Sequence, residues 1–343
     1  MKKLLNTLFV TTPDSYLHLD GENIVIKNED SILGRFPLHN LEGVCTFGYT
    51  GASPALMGAC AERNIALTFM TRTGRFLARV VGESKGNVIL RKEQYRISDN
   101  ELRSSLISRN MILGKMFNSK WVLERATRDH ALRMDVERIK RVTASLTETM
   151  KLVQKAEDLE QLRGLEGSAA VQYFSVLDEL ILQQKEEFFF RGRNKRPPLD
   201  NVNALLSFVY TLLSHDTQAA LEAVGLDPYV GFLHRDRPGR ASLALDLMEE
   251  LRSVIADRFV ISLINKRLIT GKGFYQKENG AVIMEDSARK QVLQAWQERK
   301  QEKITHPYLN ESISWGLVPY SQAILLARYI RGDLDEYPPF LWK

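Results

Sequence analysis

Three islands of this chain carry side chains whose types and spacing could do chemistry. The first is Gly164-Leu165-Glu166-Gly167-Ser168-Ala169-Ala170, where small residues around one carboxylate let a backbone or a ligand come close. The second runs from Gly225 to Arg240. Gly225 caps a helix and Asp227-Pro228 starts a turn, so His234 stands on a short irregular segment beside Arg235, Arg237 and Arg240. An imidazolium is badly placed among guanidiniums. A neutral imidazole bound to a cation, next to arginines that hold phosphates, removes the conflict. The third island is the helix from Ser242 to Arg252. At about 100° per residue, Leu243, Leu247, Leu251 and Val254 form its buried stripe, while Asp246 and Glu249 share a flank. Glu250 falls nearer the stripe and competes with Glu249 as a ligand.

One histidine and two or three carboxylates make a hard-leaning donor set suited to Mg²⁺ or Mn²⁺, with the imidazole favouring Mn²⁺ somewhat. Such an ion polarises a phosphoryl oxygen and helps activate a hydroxyl nucleophile. Taken singly, each island is also what tight helix packing, an exposed loop or a solvated acidic face presents. Together, and with basic surface nearby, they point to a nucleic-acid phosphodiester.

Composition is consistent with an ordinary globular protein. The chain has 343 residues, 44% of them hydrophobic and 26% charged, which excludes a disordered chain and suggests about two domains. Two cysteines, Cys45 and Cys60, cannot staple a chain this long, so a reducing compartment fits. No apolar run reaches membrane length, and the signal-like start Met1-Lys2-Lys3-Leu4-Leu5 is broken by Asn6 and Thr7, so a cytoplasmic protein without a membrane is expected. Charge is uneven. From Arg72 to Arg141 there are 17 Lys and Arg against 8 Asp and Glu, in a chain whose net charge is only +5. That suggests a polyanion surface.

The elements that must position these islands fall into two parts. Residues 1–81 read as a small β domain, with Tyr16–Leu19 and Asn23–Ile26 flanking the turn Asp20-Gly21-Glu22. Further strands are expected at Gly43–Phe47, Ala66–Met70 and Phe76–Val81. One helix follows Ser53-Pro54, with Leu56, Cys60 and Ala61 on its apolar face. A linker over 82–90 leads to a larger α-helical domain over 91–343. Helical periodicity begins with Leu102, Leu106, Met111 and Leu113 and continues through Trp121-Val122-Leu123, Leu132, Val136 and Ile139. Further helices are expected over about 142–160, 166–190, 201–224, 241–269, 287–303 and 318–332, with a hairpin inserted near 274–285. The fold class is α+β, with the site in the helical part.

At this point the residues resemble a known family. Glu166-Gly167 with Ala169-Ala170 and Tyr173-Phe174, then Gly231-Phe232-Leu233-His234, then Ser242 through Glu249, are similar to the three signature blocks of CRISPR-associated protein one. The resemblance implies the endonuclease and integrase of spacer acquisition, with Mg²⁺ or Mn²⁺ held by Glu166, His234 and Glu249 and Asp246 as a close supporting carboxylate. It also implies protospacer and repeat DNA, double-stranded or branched, as substrate. A homodimer through the β domains, bridged by a small second adaptation subunit, is implied as well. Tyr337 to Lys343 and Leu213-Ser214-His215-Asp216 look like the type I-C branch. Many relatives have a proline soon after the acidic helix; here Arg252-Ser253-Val254 continues it.

Two rivals remain. His215-Asp216 could mark an HD-type metal phosphohydrolase, although only His130 is available upstream and His215 reads as a polar residue near a helix start. A non-enzymatic DNA-binding protein using Arg91 to Arg141 would leave the three islands unexplained. If the Arg72 to Arg141 surface binds a DNA backbone, affinity should fall steeply with ionic strength through counterion release. A slope near zero in a salt titration would reduce that segment to solvated surface.

Overall fold

The computed structural model describes residues 6–29, 31–82 and 88–343. Most of the expected linker (83–87) and the start Met1–Leu5 lie outside them. The described strands β1 (Thr7–Val10), β2 (Ser15–Asp20), β3 (Asn23–Asn28), β4 (Ser31–Pro37), β5 (Gly43–Phe47), β6 (Gly51–Ala52), β7 (Ala66–Met70) and β8 (Phe76–Arg79) form two four-stranded sheets. One has the order β1-β5-β7-β8, with the first three parallel and β8 antiparallel to β7. The other, β4-β3-β2-β6, contains the expected hairpin, in which Leu19 faces Ile24 and Gly21 takes the positive φ of 57° that its tight turn demands. Strands β1, β4 and β6 were not expected. β4 carries Gly34, Arg35 and Pro37 and is mostly exposed, so it lacks the alternation that marks a half-buried strand.

Helix α1 (Pro54–Glu62) starts as its sequence dictates: the Ser53 hydroxyl accepts from the Leu56 N–H at 3.2 Å and Pro54 opens the first turn. It buries Leu56, Ala59 and Cys60 against Leu17, Ile24, Val44 and Leu67. Cys45 and Cys60 are both buried.

The chain divides into two compact units, Met1–Lys85 with Met284–Glu302, and Gly86–Ile283 with Lys303–Lys343. Helix α9 (Asp286–Gln301) therefore belongs with the sheets, whereas the sequence reading places it in the helical domain. Arg72 pairs with Asp286 at 2.6 Å, and Arg289 lies 5.8 Å from the centre of the Phe47 ring. Helical periodicity identifies a helix but does not say which core its apolar face meets.

The second unit contains α2 (Val88–Ser98), α3 (Glu101–His130), α4 (Val136–Lys155), α5 (Leu159–Ser175), α6 (Asn201–Ala223), α7 (Ser242–Glu249), α8 (Arg258–Asn265) and α10 (Val318–Ile330). Two further two-stranded sheets pair β9 (Phe274–Gln276) with β10 (Val282–Met284) and β11 (Lys303–Thr305) with β12 (Ser312–Ser314). Asn100, Asp135, Asp158 and Asp200 cap α3 to α6 through their side chains, each accepting a backbone N–H three residues on. The Asp158 cap moves the helix expected over 166–190 back to 159–175, which leaves Glu166 in mid-helix. The helix expected over 241–269 is broken into α7, a π-helical turn at Arg252–Asp257, and α8.

Asp257 closes that turn. It is buried and accepts the Tyr173 hydroxyl at 3.0 Å and the Tyr210 hydroxyl at 2.6 Å, tying α5 and α6 to the turn. Burial pushes its carboxyl up from 3.8 to about 6, against the pull of Tyr210, Tyr173, Arg252 and Arg193. Between those values the unfolded chain releases a proton that the folded chain keeps. The stability tied to this group is full below about pH 4 and falls as pH rises through 6, by roughly 2–3 kcal/mol. In urea titrations, the stability of wild type minus that of Asp257→Asn should fall by that amount from pH 4 to 7 and level off above. A difference independent of pH would contradict the assignment.

Candidate active site

Gly231 to His234 wrap around the buried carboxylate of Asp246, which accepts the backbone N–H groups of Phe232 at 2.6 Å and of Leu233 and His234 at 3.0 Å each. A Cβ on Gly231 would lie 2.7 Å from Asp246 Oδ2 and 2.8 Å from Ser242 Cβ, so only glycine permits this approach. The His234 ring meets the same carboxylate, Nδ1 to Oδ1, at 2.5 Å. An ionised carboxylate only accepts, so Nδ1 donates and Nε2 keeps its lone pair for a ligand. Asp246 thus orients the histidine. Arg163, on α5 three residues before Glu166, donates from Nε to the Leu233 carbonyl at 2.8 Å and pins the loop to the helix that carries the carboxylate.

Glu166 and Glu249 are brought together by a residue that the sequence reading missed. The Lys115 ammonium, from the middle of α3, bonds Glu166 Oε1 and pairs with Glu249 Oε2 at 2.7 Å. Arg252 reaches Glu249 Oε1 at 2.9 Å. Burial alone would raise the Glu249 carboxyl, but Arg252, Lys115 and the nearby His234 hold it down at about 2. Burial likewise opposes the charge on Lys115, and Glu249 and Glu166 keep its ammonium above the usual range. No motif flags Lys115, which is one cation in a long basic helix.

Glu250 faces another way. Its buried carboxylate accepts the Tyr337 hydroxyl, Gln322 Nε2 at 2.9 Å and the Phe340 N–H at 2.8 Å. Asn118 completes the clamp on the C-terminal segment: Nδ2 donates to the carbonyls of Glu250 at 2.7 Å and Phe340 at 2.6 Å, and Oδ1 accepts from the Trp342 N–H at 2.9 Å. Where the sequence left Glu249 and Glu250 in competition, the geometry engages Glu250 in the scaffold.

The expected basic surface is partly consumed within the protein. Arg96 and Arg103 pair with Glu93, Arg128 with Asp129 and Arg138 with Glu179, and Arg125 stacks 3.8 Å from the centre of Trp342. In the second island, Arg235 pairs with Glu160 at 2.6 Å, Arg237 is exposed and Arg240 is half-buried. A second cationic group went unread: burial first, then Arg252, Arg193, Arg196 and Arg240, lower the pKa of Lys195. The run Arg191-Gly192-Arg193-Asn194-Lys195-Arg196 was its signal in the sequence.

Among the described residues no three His, Cys, Asp or Glu side chains stand close enough to hold an ion as they are, since Lys115 bridges Glu166 and Glu249. The donor chemistry still suits a hard divalent cation. The Glu249 carboxylate is buried and held charged, and an oriented imidazole and a second carboxylate flank the same region. His215 and Asp216 lie in the second half of α6, not near a helix start. Among the described residues no helix is long and apolar enough to cross a membrane.

Residues 8–298 match the family model of CRISPR associated protein Cas1. The chain is 51% identical to CRISPR-associated endonuclease Cas1 1 of Chlorobaculum tepidum over the whole of both chains. It is 52% identical to CRISPR-associated endonuclease Cas1 2 of Rhodospirillum rubrum, again over the whole of both. Its fold is that of a casposase bound to integration product, with a TM-score of 0.84 and 22% identity over 98% of this chain and 93% of that one. Signature blocks, fold and full-length identity agree, and the chain belongs to the Cas1 family of CRISPR-associated proteins.

Proposed function

We propose that this protein is a metal-dependent DNA endonuclease and integrase that inserts spacer DNA into a CRISPR array. The observation that carries the reading is an imidazole fixed through Nδ1 by a buried carboxylate, beside a second buried carboxylate, Glu249, that Arg252 and Lys115 hold charged. Relatives named endonucleases and a structural neighbour captured with an integration product support it.

Glu166, His234 and Glu249 would hold Mg²⁺ or Mn²⁺, which supplies polarisation of the phosphoryl oxygen and eases deprotonation of the nucleophile. Asp246 keeps His234 in the tautomer that presents Nε2. A DNA 3′-hydroxyl attacks the array phosphodiester: its oxygen forms the new P–O bond as the old one breaks, and the departing strand leaves with a 3′-hydroxyl. With water in place of the hydroxyl, the same site is a nuclease. Arg237 and Arg240, with Lys195 and Arg196, hold flanking phosphates, and Arg235 joins them on leaving Glu160. The partners in this reading are branched and double-stranded DNA, a second copy of the chain, and the small second adaptation subunit, in the cytoplasm.

Glu166→Ala, His234→Ala and Glu249→Ala should each bring strand transfer on branched DNA below detection while DNA binding persists, and Glu249→Ala should also lower the thermal midpoint because Lys115 and Arg252 lose a shared partner. Asp246→Asn should cost about 10- to 100-fold, because the amide no longer fixes the ring. Strand transfer by His234→Ala at the wild-type rate would overturn the site.

A further inference from the structure

Lys115 is the member of this cluster that a site of two carboxylates and one imidazole does not require. Its side chain is 14% exposed, and its ammonium contacts Glu166 and Glu249 at once. Glu249 Oε2 meets it as a charged pair at 2.7 Å. Glu166 and Glu249 are balanced as they stand by Lys115 and Arg252. A dication added on top would face two fixed cations at contact range, and like charges so close repel strongly away from bulk water. One cation must give way. Arg252 is committed three residues from Glu249 in the same helical run, with its guanidinium 5.2 Å from the Tyr210 ring centre. Lys115 hangs on a flexible four-carbon stem.

There is somewhere for it to go. A mostly apolar cavity of about 30 Å³, room for about one or two waters, takes its polar lining from residues that include Lys115, Tyr173, Tyr210, Arg252, Ser253 and Asp257. Ser253 Oγ is buried there without a hydrogen-bond partner among the described residues. Each oxygen of Asp257 takes one tyrosine hydroxyl and has a lone pair left.

We propose that Lys115 is a resident counter-ion. It holds Glu166 and Glu249 together in the metal-free protein, and the divalent cation displaces it into this cavity, where Ser253 and Asp257 receive the ammonium. The proposal rests on the metal reading above and adds a competition within it.

The test is Mn²⁺ affinity of the full-length protein, read from the electron paramagnetic resonance of free Mn²⁺, with thermal midpoints in chelator and in Mn²⁺. Lys115→Met should bind Mn²⁺ about tenfold tighter or more, and should melt lower than wild type in chelator but regain that loss with Mn²⁺. Lys115→Arg, whose planar fork grips both carboxylates, should bind severalfold more weakly than wild type, and it carries the test if the methionine variant does not fold. Asp257→Asn should weaken Mn²⁺ binding with Lys115 present and leave it unchanged in the Lys115→Met background. Equal or weaker binding by Lys115→Met, or unaltered binding by Lys115→Arg, overturns the displacement while the metal site stands. An equal effect of Asp257→Asn in both backgrounds overturns the cavity as the receiving place. Absence of Mn²⁺ binding from wild type and variants alike overturns the metal reading and this one with it.

Discussion

The carboxylate of Glu249 has to be charged in a place that water barely reaches. Its side chain is 4% exposed, and removing an ion from water costs several kcal/mol even after the protein relaxes. Two cations offset that cost, Lys115 at 2.7 Å and Arg252 at 2.9 Å. The requirement propagates outward. Lys115 can reach Glu249 only if α3 comes close to the end of α7, and at the neighbouring Gly114 an added Cβ would stand 3.0 Å from Glu250 Cβ and 3.1 Å from Pro339 Cβ. A bulkier residue there would push the helices apart and lengthen the ion pair. Glycine at 114 and lysine at 115 are two parts of one solution.

Glu249 and Glu250 show how neighbours, more than residue type, decide a carboxyl's state. Both are buried at the end of the same helix, and one position of helical rotation sends them to different surroundings. Glu249 meets two cations and is held at about 2. Glu250 meets only neutral donors, from Tyr337, Phe340 and Gln322, and burial pushes it up to about 7. One carboxylate is placed to hold a charge and the other to accept hydrogen bonds from a chain terminus. The tail that Glu250 fastens is also what keeps the end of α7 in register with α3, so the scaffold acid supports the charged one.

Much of this was legible in the sequence. The three islands are local: Gly231 needs only its own lack of a side chain, and Asp246 needs only the loop that it faces, whereas the Asp158 cap, written in its own turn, was passed over. What was missed depends on contacts between distant segments. Lys115 carries no local signal, because a lysine in a basic helix looks the same whether it faces solvent or two carboxylates from other helices. The membership of α9 was lost for a similar reason, since its period is helical whichever core it joins. The strand β4 was hidden by Gly34, Arg35 and Pro37, which an exposed strand tolerates. The extra charge of the Arg72 to Arg141 segment was counted correctly, but a count does not reveal that Arg103, Arg128 and Arg138 have acidic neighbours in the fold.

The π turn resolves a remaining difficulty, which is how so many cations stand near one another. Arg193 and Arg252 approach the Tyr210 ring at 5.4 and 5.2 Å from its centre, and ring faces attract cations. The Tyr210 hydroxyl is anchored by Asp257, which the wide turn brings within reach of Tyr173 as well. A regular helix through Arg252–Asp257 would rotate these groups relative to one another, because i to i+5 pairing inserts an extra residue in the turn. The aromatic ring and the carboxylate behind it therefore hold two guanidiniums at a separation that their own repulsion would not choose. The turn supplies Arg252 to Glu249 at one end and Asp257 to the tyrosines at the other. Lys195 and Arg196 remain exposed beside it, where a polyanion can meet them.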